Sequence, residues 1–494
     1  MNFTPAAQDF DILKQKNKTF FAKIELLNKQ DKVLDVIYGN VIDDSFNVSE
    51  EALQRRSYSC TLLVTDSSFL IGNDKKIWID KRIRVSYGIT HSRSGETLWY
   101  LLGTFTYLNA DYTYDTDSKR TLSLSCADLM ADYDGTKNGE MDGYTLHIPA
   151  GEDIRNTIIG LMKSAGITKY NIADIGKSIP FDLEYTSKTT YCDIWKAIRD
   201  LYDSWEFFFD VDGTFIWRKK PTGYEEDCVM DDSVMHGYEL VISEKQNHTF
   251  QDIYNATEVW GKVLELRDTD RYAYEDVTYA DNVYGITLEG VEHPESLPEF
   301  SYLAVKVPAD NLAGAMMAVN GLEAVPIVHD DASPIREGIL KEGNTYTFMV
   351  RHQMTEEIPF ALYVLGEYQA CAVYREMDPD CPFSIPNIGY EILKKEYYDN
   401  LYSNDLCYNQ AEYLTYQSTA MMDTILLECL FIPWLDVNQK IEYTSLNTGQ
   451  TSQYIVKNLS WSTLSGVMSV TLYRFREDFS YVKNAKNVRN VRNK

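Results

Sequence analysis

The sequence has no C-x-x-C pair, no histidines at metal-ligand spacing and few basic residues: 47 Lys and Arg stand against 74 Asp and Glu, a formal net charge of −27. Its eight cysteines, at 60, 126, 192, 228, 371, 381, 407 and 429, follow no framework, so they read as reduced core thiols and not as disulfide or zinc ligands. The shortage of clustered Lys and Arg excludes specific nucleic-acid binding, because affinity for phosphate backbones comes chiefly from counterion release. Long apolar runs are missing too. The most apolar segment, Thr424 to Leu435, is interrupted by Glu428 and Pro433 and is too short to span a membrane. The opening Met1-Asn2-Phe3-Thr4-Pro5 lacks the charged start and apolar stretch of an export signal, so synthesis and folding in a reducing cytoplasm are expected.

Catalytic motifs are equally scarce. Gly176-Lys177-Ser178 resembles the end of a phosphate-binding loop, but Asn171 stands where the first glycine would let the backbone wrap a phosphate, so a turn is expected. No G-x-S-x-G elbow or H-E-x-x-H helix occurs, and the seven histidines (91, 147, 236, 248, 293, 329, 352) show no ligand pattern. Asp132-Tyr133-Asp134-Gly135 and Asp210-Val211-Asp212-Gly213 lack the third ligand and distal Glu of a calcium loop and read as turns. His329-Asp330-Asp331 sits on a polar stretch and reads as a solvated loop. A glycosidase-type carboxylate pair is defined by separation in space, which sequence does not give. No catalytic, cofactor-binding or metal-binding residue is assigned, no cofactor is expected, and the chain is read as a non-enzyme.

What the sequence does have is length and aromatic residues. Its 494 residues call for three or four domains. The 36 Tyr, 20 Phe and 8 Trp suit pleated, half-buried surfaces and broad contacts. Tyrosine-rich surfaces serve protein partners and sugars alike, so a carbohydrate-binding β protein, or a glycoside hydrolase, stays open as an alternative.

Periodicity then divides the chain. Residues 1–130 begin with a short polar lead of helical character. Phe20, Ala22, Ile24 and Leu26 then alternate with Phe21, Lys23, Glu25 and Leu27, and a turn at Lys29 to Lys32 leads to a second run, Val33 to Ile42. Further short strands up to Cys126 predict a β-barrel or sandwich. Residues 131–225 read as a small α/β module. One helix is marked by Ile154, Ile158, Leu161, Met162 and Ala165, and a second opens on a Thr190/Asp193 capping box. A hairpin, Trp205 to Phe209 and Thr214 to Trp217, turns at Gly213. Residues 226–390 are strand-rich, with Ala309 to Val319 helix-like and an inserted domain expected at about 265–390. Residues 391–480 hold a helix, Ser403 to about Tyr416, and a closing set of strands. A basic tail, 481–494, carries Lys483, Lys486, Arg489, Arg492 and Lys494.

Two segments share G-x-T-x-x-Y. Gly95, Thr97 and Tyr100 match Gly449, Thr451 and Tyr454, and each set is followed seven residues later by an aromatic, Tyr107 or Trp461. A hairpin used twice would make the two ends of the chain related β-barrels.

The order of elements resembles the baseplate hub, or tail-associated hub, proteins of tailed bacteriophages and related contractile injection systems. The matching stretches are Arg55 to Cys60, Lys81 to Ile89, Leu102 to Phe105, the helix and hairpin from Asp193 to Arg218, and Pro433 to Ile441. They cover the first 220 and the last 90 residues, roughly. The resemblance implies a mainly β fold with α+β modules: two tail-tube-like β-barrels flanking the α/β module and the β-rich middle. It further implies a virion protein, a structural homotrimer joining the tail tube or distal tail protein to a spike, fibre or receptor-binding assembly used in host attachment. DNA or a tape-measure protein would pass through its bore. Carboxylates facing that bore would form an acidic channel and repel DNA during ejection.

Overall fold

Strict alternation builds the first sheet strands. In Val41–Ser49 and Arg56–Leu63, Phe46, Val48, Tyr58, Cys60 and Leu62 are buried, while Ser45, Asn47, Ser57 and Ser59 between them are exposed. The computed structural model describes residues 5–474 except 16, 39, 66, 115–119, 142, 144, 181, 203–204, 222–226, 248–249, 251–252, 264–270, 275, 289–296, 298–301, 330–332, 353–359, 368, 400, 402–403, 421–423 and 463–464. The basic tail 481–494 and the Asp330-Asp331 pair therefore lie outside the described residues.

The chain is mainly β, and its largest sheet has thirteen strands among the described residues. The order runs Val33–Tyr38, Phe20–Asn28, Lys81–Thr90, Thr97–Tyr114, Arg120–Asp128, Arg56–Leu63 and Val41–Ser49. It then continues into the other end of the chain through Thr451–Trp461, Val467–Arg474, Thr424–Leu430 and Val241–Asn247. Two separate barrels are thus not what forms: the ends are two stretches of one sheet, and no sheet of the described residues closes into a barrel. The reason is local. Lys440–Thr444 pairs with Thr451–Trp461 only from Thr451 to Ile455, and the rest of that edge, Asn458 to Trp461, pairs with Ser49 to Phe46. Backbone donors that one partner leaves open are taken up by the next. One apolar core follows, holding Ile24, Phe46, Tyr87 and Phe105 together with Ile425, Phe431, Val456 and Leu472.

A second core gathers the helices. Asp153 caps Ile154–Ser164 and Thr190 caps Tyr191–Arg199, whose Trp195 and Ile198 pack on the hairpin Trp205–Phe209 and Phe215–Lys219. The hairpin turns at Gly213, φ +80°, where the chain needs a left-handed residue. Helix Asn404–Ala420 puts Cys407 and Ala411 into this same core, against a three-stranded sheet of Gln369–Arg375, Ala256–Val263 and Leu393–Tyr397.

Between Ala256–Val263 and Gln369–Arg375 lies an eight-stranded sheet, Arg271–Tyr274 to Phe360–Glu367, with a core of its own around Tyr284, Leu303, Met317 and Phe348. The helix expected at Ala309 to Val319 is absent there; Met316–Val319 is a strand. The Asn311 side chain donates to the carbonyls of Leu312 and Arg336 and accepts from Leu340 N–H, which ties the segment to a loop instead. The run Val33 to Ile42 likewise divides, into Val33–Tyr38 and a separate strand from Val41, with Asn40 bonded to the Leu63 backbone through both its carbonyl and its side-chain amide.

Candidate assembly surface

The two G-x-T-x-x-Y segments form the same turn. Gly95 and Gly449 have φ of +70° and +67°. Each donates its N–H to the carbonyl four residues before it, His91 or Ser445, at 2.8 Å, and these in turn donate to Glu96 and Gln450. Behind each turn a threonine pair meets through its hydroxyls, Thr90 with Thr97 at 3.2 Å and Thr444 with Thr451 at 2.6 Å. Thr90 and Thr444 each stand five residues before the glycine, so the shared pattern is T-x-x-x-x-G-x-T-x-x-Y, longer than the motif alone. Tyr100 and Tyr454 are both buried.

Strand order repeats as well. Lys81–Thr90, Thr97–Tyr114, Arg120–Asp128, Arg56–Leu63 and Val41–Ser49 are neighbours in that sequence, all antiparallel. Lys440–Thr444, Thr451–Trp461, Val467–Arg474, Thr424–Leu430 and Val241–Asn247 follow the same sequence and sense. The halves meet where Thr451–Trp461 pairs with Val41–Ser49. Their counterparts, the end of Thr97–Tyr114 and the strand Val241–Asn247, are edges. Among the described residues, Val241–Asn247 pairs on one side only, and Thr97–Tyr114 beyond Leu108 pairs only with Arg120–Asp128.

The sheet turns one polar face outward through both halves. One rung crosses six strands, Ser243, Glu428, Ser469, Ser460, Asn47 and Ser57. The next holds Ser45, Ser59, Ser125 and Asn109. Bonds from Ser243 to Glu428 at 3.0 Å and between Thr61 and Ser123 at 3.3 Å confirm that these side chains share a face. From Val241–Asn247 to the end of Thr97–Tyr114 hydroxyls and amides dominate it, with Asp43, Asp111, Lys245 and Glu428 as charges, and farther along the same face come Arg82, Arg84, Lys23 and Glu25.

Behind the sheet, the stretches that carry the resemblance converge. Glu206, on the hairpin, accepts from Arg55 at 2.7 Å, Arg218 at 2.7 Å and Asn438 at 2.9 Å. Arg56 donates to Asp436 and to the Phe209 carbonyl, and its backbone N–H reaches Asp128 at 2.9 Å. Burial works against the Glu206 charge, but the Arg55 and Arg218 guanidiniums outweigh it and hold the carboxyl below its ordinary value. At Asp128 the balance falls the other way, although the Arg56 and Arg55 charges act on it too. Burial raises it to about 6 despite the N–H donors of Arg56 and Met130.

The remaining sequence candidates fall as separate turns. Gly176, φ +63°, donates to Asp174; Asp132 pairs with Arg82 and Lys137, while Asp134 accepts from Gln54 and Thr136. Asp210 to Gly213 is the hairpin turn, and His329 is buried at the end of Val325–Val328. Among the described residues no three His, Cys, Asp or Glu side chains are grouped as metal ligands. Burial pushes the thiols of Cys60, Cys192 and Cys429 up to about 12. The aromatics build cores for the most part: Trp195, Trp217, Tyr58, Tyr87, Tyr284 and Tyr443 are fully buried, whereas Trp78 and Trp99 are the exposed tryptophans among the described residues.

Continuous sheet, doubled strand order and open edges define a β-sheet fold that is similar to those of solved tail proteins, the class the sequence resemblance named. The tail protein from Neisseria meningitidis MC58 is 8% identical with a TM-score of 0.50, covering 92% of this chain and 96% of that one; the likeness is one of fold. The 43 kDa tail protein of prophage MuSo2 from Shewanella oneidensis is 10% identical with a TM-score of 0.48, covering 92% and 98%. A family model described as a domain of unknown function, DUF5048, matches residues 380–479. No curated protein matches the chain. No helix among the described residues is long and apolar enough to cross a membrane.

Proposed function

We propose that the chain is a structural, non-enzymatic virion protein of the tail tip or baseplate: a homotrimeric hub that joins the tail tube to a distal spike, fibre or receptor-binding assembly. The observation that carries this reading is the doubled strand order with one internal junction and two counterparts of it that, among the described residues, pair with a strand on one side only. Strand Val241–Asn247 of one copy would pair with the end of Thr97–Tyr114 of the next, repeating between copies the contact that Val41–Ser49 and Thr451–Trp461 make within one. Such a contact is head-to-tail and closes into a ring, and three copies of a doubled unit present six similar faces to a tube. The hydroxyl-lined face would surround the bore through which DNA or a tape-measure protein leaves. Between Val241–Asn247 and the end of Thr97–Tyr114 its exposed cation is Lys245, so that stretch has little to retain a polyanion, which suits passage. On this reading the units are the shared sheet of both ends, the helix-containing module and an inserted sheet between 264 and 368.

Native mass spectrometry of the full chain, alone and co-expressed with its tail-tube partner, tests the proposal. Trimers are expected, and Ala110→Pro, which places an imide on the open edge of Thr97–Tyr114, is expected to abolish them while leaving the monomer folded. A wild-type chain that stays monomeric under both conditions overturns the ring.

A further inference from the structure

Two lysines share one carboxylate at the place where the shared sheet meets the helix-containing module. Glu50 accepts from Lys457 at 3.0 Å and from Lys220 through its other oxygen, and the side chains of Glu50 and Lys457 are 6% and 5% exposed. Glu206 is divided in the same way between Arg55 and Arg218. Each trio carries one more positive than negative charge. Both border a single cavity of about 460 Å³, within the roughly 300–1,000 Å³ range of small-molecule sites.

Two more cations stand on the wall, with carboxylate partners that lie outside the cavity lining. Lys196 and Arg199 line the same cavity, so five cations face three carboxylates, Glu50, Glu51 and Glu206, in a chain whose overall charge is −27. Lys196 stands 3.8 Å from Asp193, a loose pairing on a partly exposed side chain, and Arg199 donates to Asp200 at 2.5 Å. Arg55 is 95% buried by the complement of its 5% exposure, and its Nε has no hydrogen-bond partner among the described residues. Burial, and then the neighbouring Lys220 ammonium, lowers the pKa of Lys457 from its ordinary value, as expected of a cation crowded by another.

We propose that this cavity binds a small dianion of the phosphate class. Such a ligand supplies the two negative charges that the trios lack, and its oxygens point in several directions, matching ammonium groups and a guanidinium that come from different walls. Because Glu50 and Lys457 belong to the shared sheet and its loops while Lys196, Arg199 and Lys220 belong to the module, the bound anion would also fasten one to the other.

Isothermal titration of inorganic phosphate into the full chain, with chloride balancing the ionic strength, tests this directly. Saturable one-site binding is expected. Lys220→Met should weaken it by about tenfold or more, the effect of losing a charge-assisted hydrogen bond. Arg199→Gln and Lys196→Gln, on side chains 33% and 38% exposed, should weaken it several-fold without unfolding the chain. Lys341→Gln, on the inserted sheet, should leave it unchanged. Absence of saturable binding to the wild type overturns the site, as does equal weakening by Lys341→Gln. Should Lys220→Met fail to fold, the Arg199 and Lys196 variants decide: unchanged affinity in both overturns it. The isolated chain suffices, so the outcome is independent of whether copies form a ring.

Discussion

Phe46 and Trp461, from opposite ends of the sequence, stack with ring centroids 4.4 Å apart and planes 19° from parallel, on the strand pair that joins the two halves of the large sheet. Phe46 also meets Phe105 at 5.6 Å, and Trp461 meets Phe431 at 5.4 Å, so the rings run unbroken from one half to the other. Trp461→Ala should therefore cost about 3–5 kcal/mol, the usual penalty for emptying an aromatic site in a core. Urea unfolding followed by near-UV and far-UV circular dichroism should shift both halves together; separate transitions would show that the core is not one unit.

The paired turns give a subtler expectation. Nothing lies within 4 Å of a Cβ built on Gly95 or Gly449, so substitution there meets no clash and only the left-handed backbone resists it. Gly95→Ala and Gly449→Ala should each cost about 1–2 kcal/mol, with Asn costing less, and the double variant should be additive. Denaturant midpoints of the four proteins check this.

Acid should loosen the Glu50 trio. Burial raises the Glu50 carboxyl, but Lys457 and Lys220 outweigh that and hold it down at about 2, against an ordinary 4.5. A depressed carboxyl stabilises the fold fully above its unfolded value and loses that contribution as pH falls from 4.5 through about 2; the difference corresponds to about 3 kcal/mol. Glu50→Gln should be less stable at neutral pH and show a flatter decline over that acid window in pH-dependent urea melts.

Excising residues 264–368 should leave the remainder folded. Val263 and Gln369 are already paired across antiparallel strands, so a two-residue Asn-Gly turn can close the gap. The inserted sheet's core shares no residue with the other two. Tryptophan fluorescence from Trp195 and Trp461 should keep its denaturant midpoint; a large fall would show that the insert supports its host.

Much of this was readable in the sequence where side chains alternate or caps are explicit. Phe20 to Leu27 announced a strand by period two, and Thr190 with Asp193 announced a helix start, because both depend on neighbours a few residues away. The joining of the two ends was not readable. It depends on Asn458 to Trp461 outrunning Lys440–Thr444 and finding Phe46 to Ser49, a pairing that no local pattern encodes. The Glu206 junction lay hidden for the same reason: Arg55, Arg218 and Asn438 come from three distant stretches, and only their shared partner brings them together. Asn311 misled because the apolar spacing of Leu312 to Val319 suits a helix, while one side-chain amide, satisfied by a loop, decides otherwise. The extended turn pattern could have been found earlier, since Thr90 and Thr444 stand in plain register.

The attachment of the inserted sheet has a consequence for how such a chain can change. A segment hung between two strand ends that are already neighbours adds closure entropy only as the logarithm of its length, about 0.6 kcal/mol per doubling. Exchange of that segment for a longer, shorter or unrelated one would leave the host sheets at an almost constant thermodynamic burden.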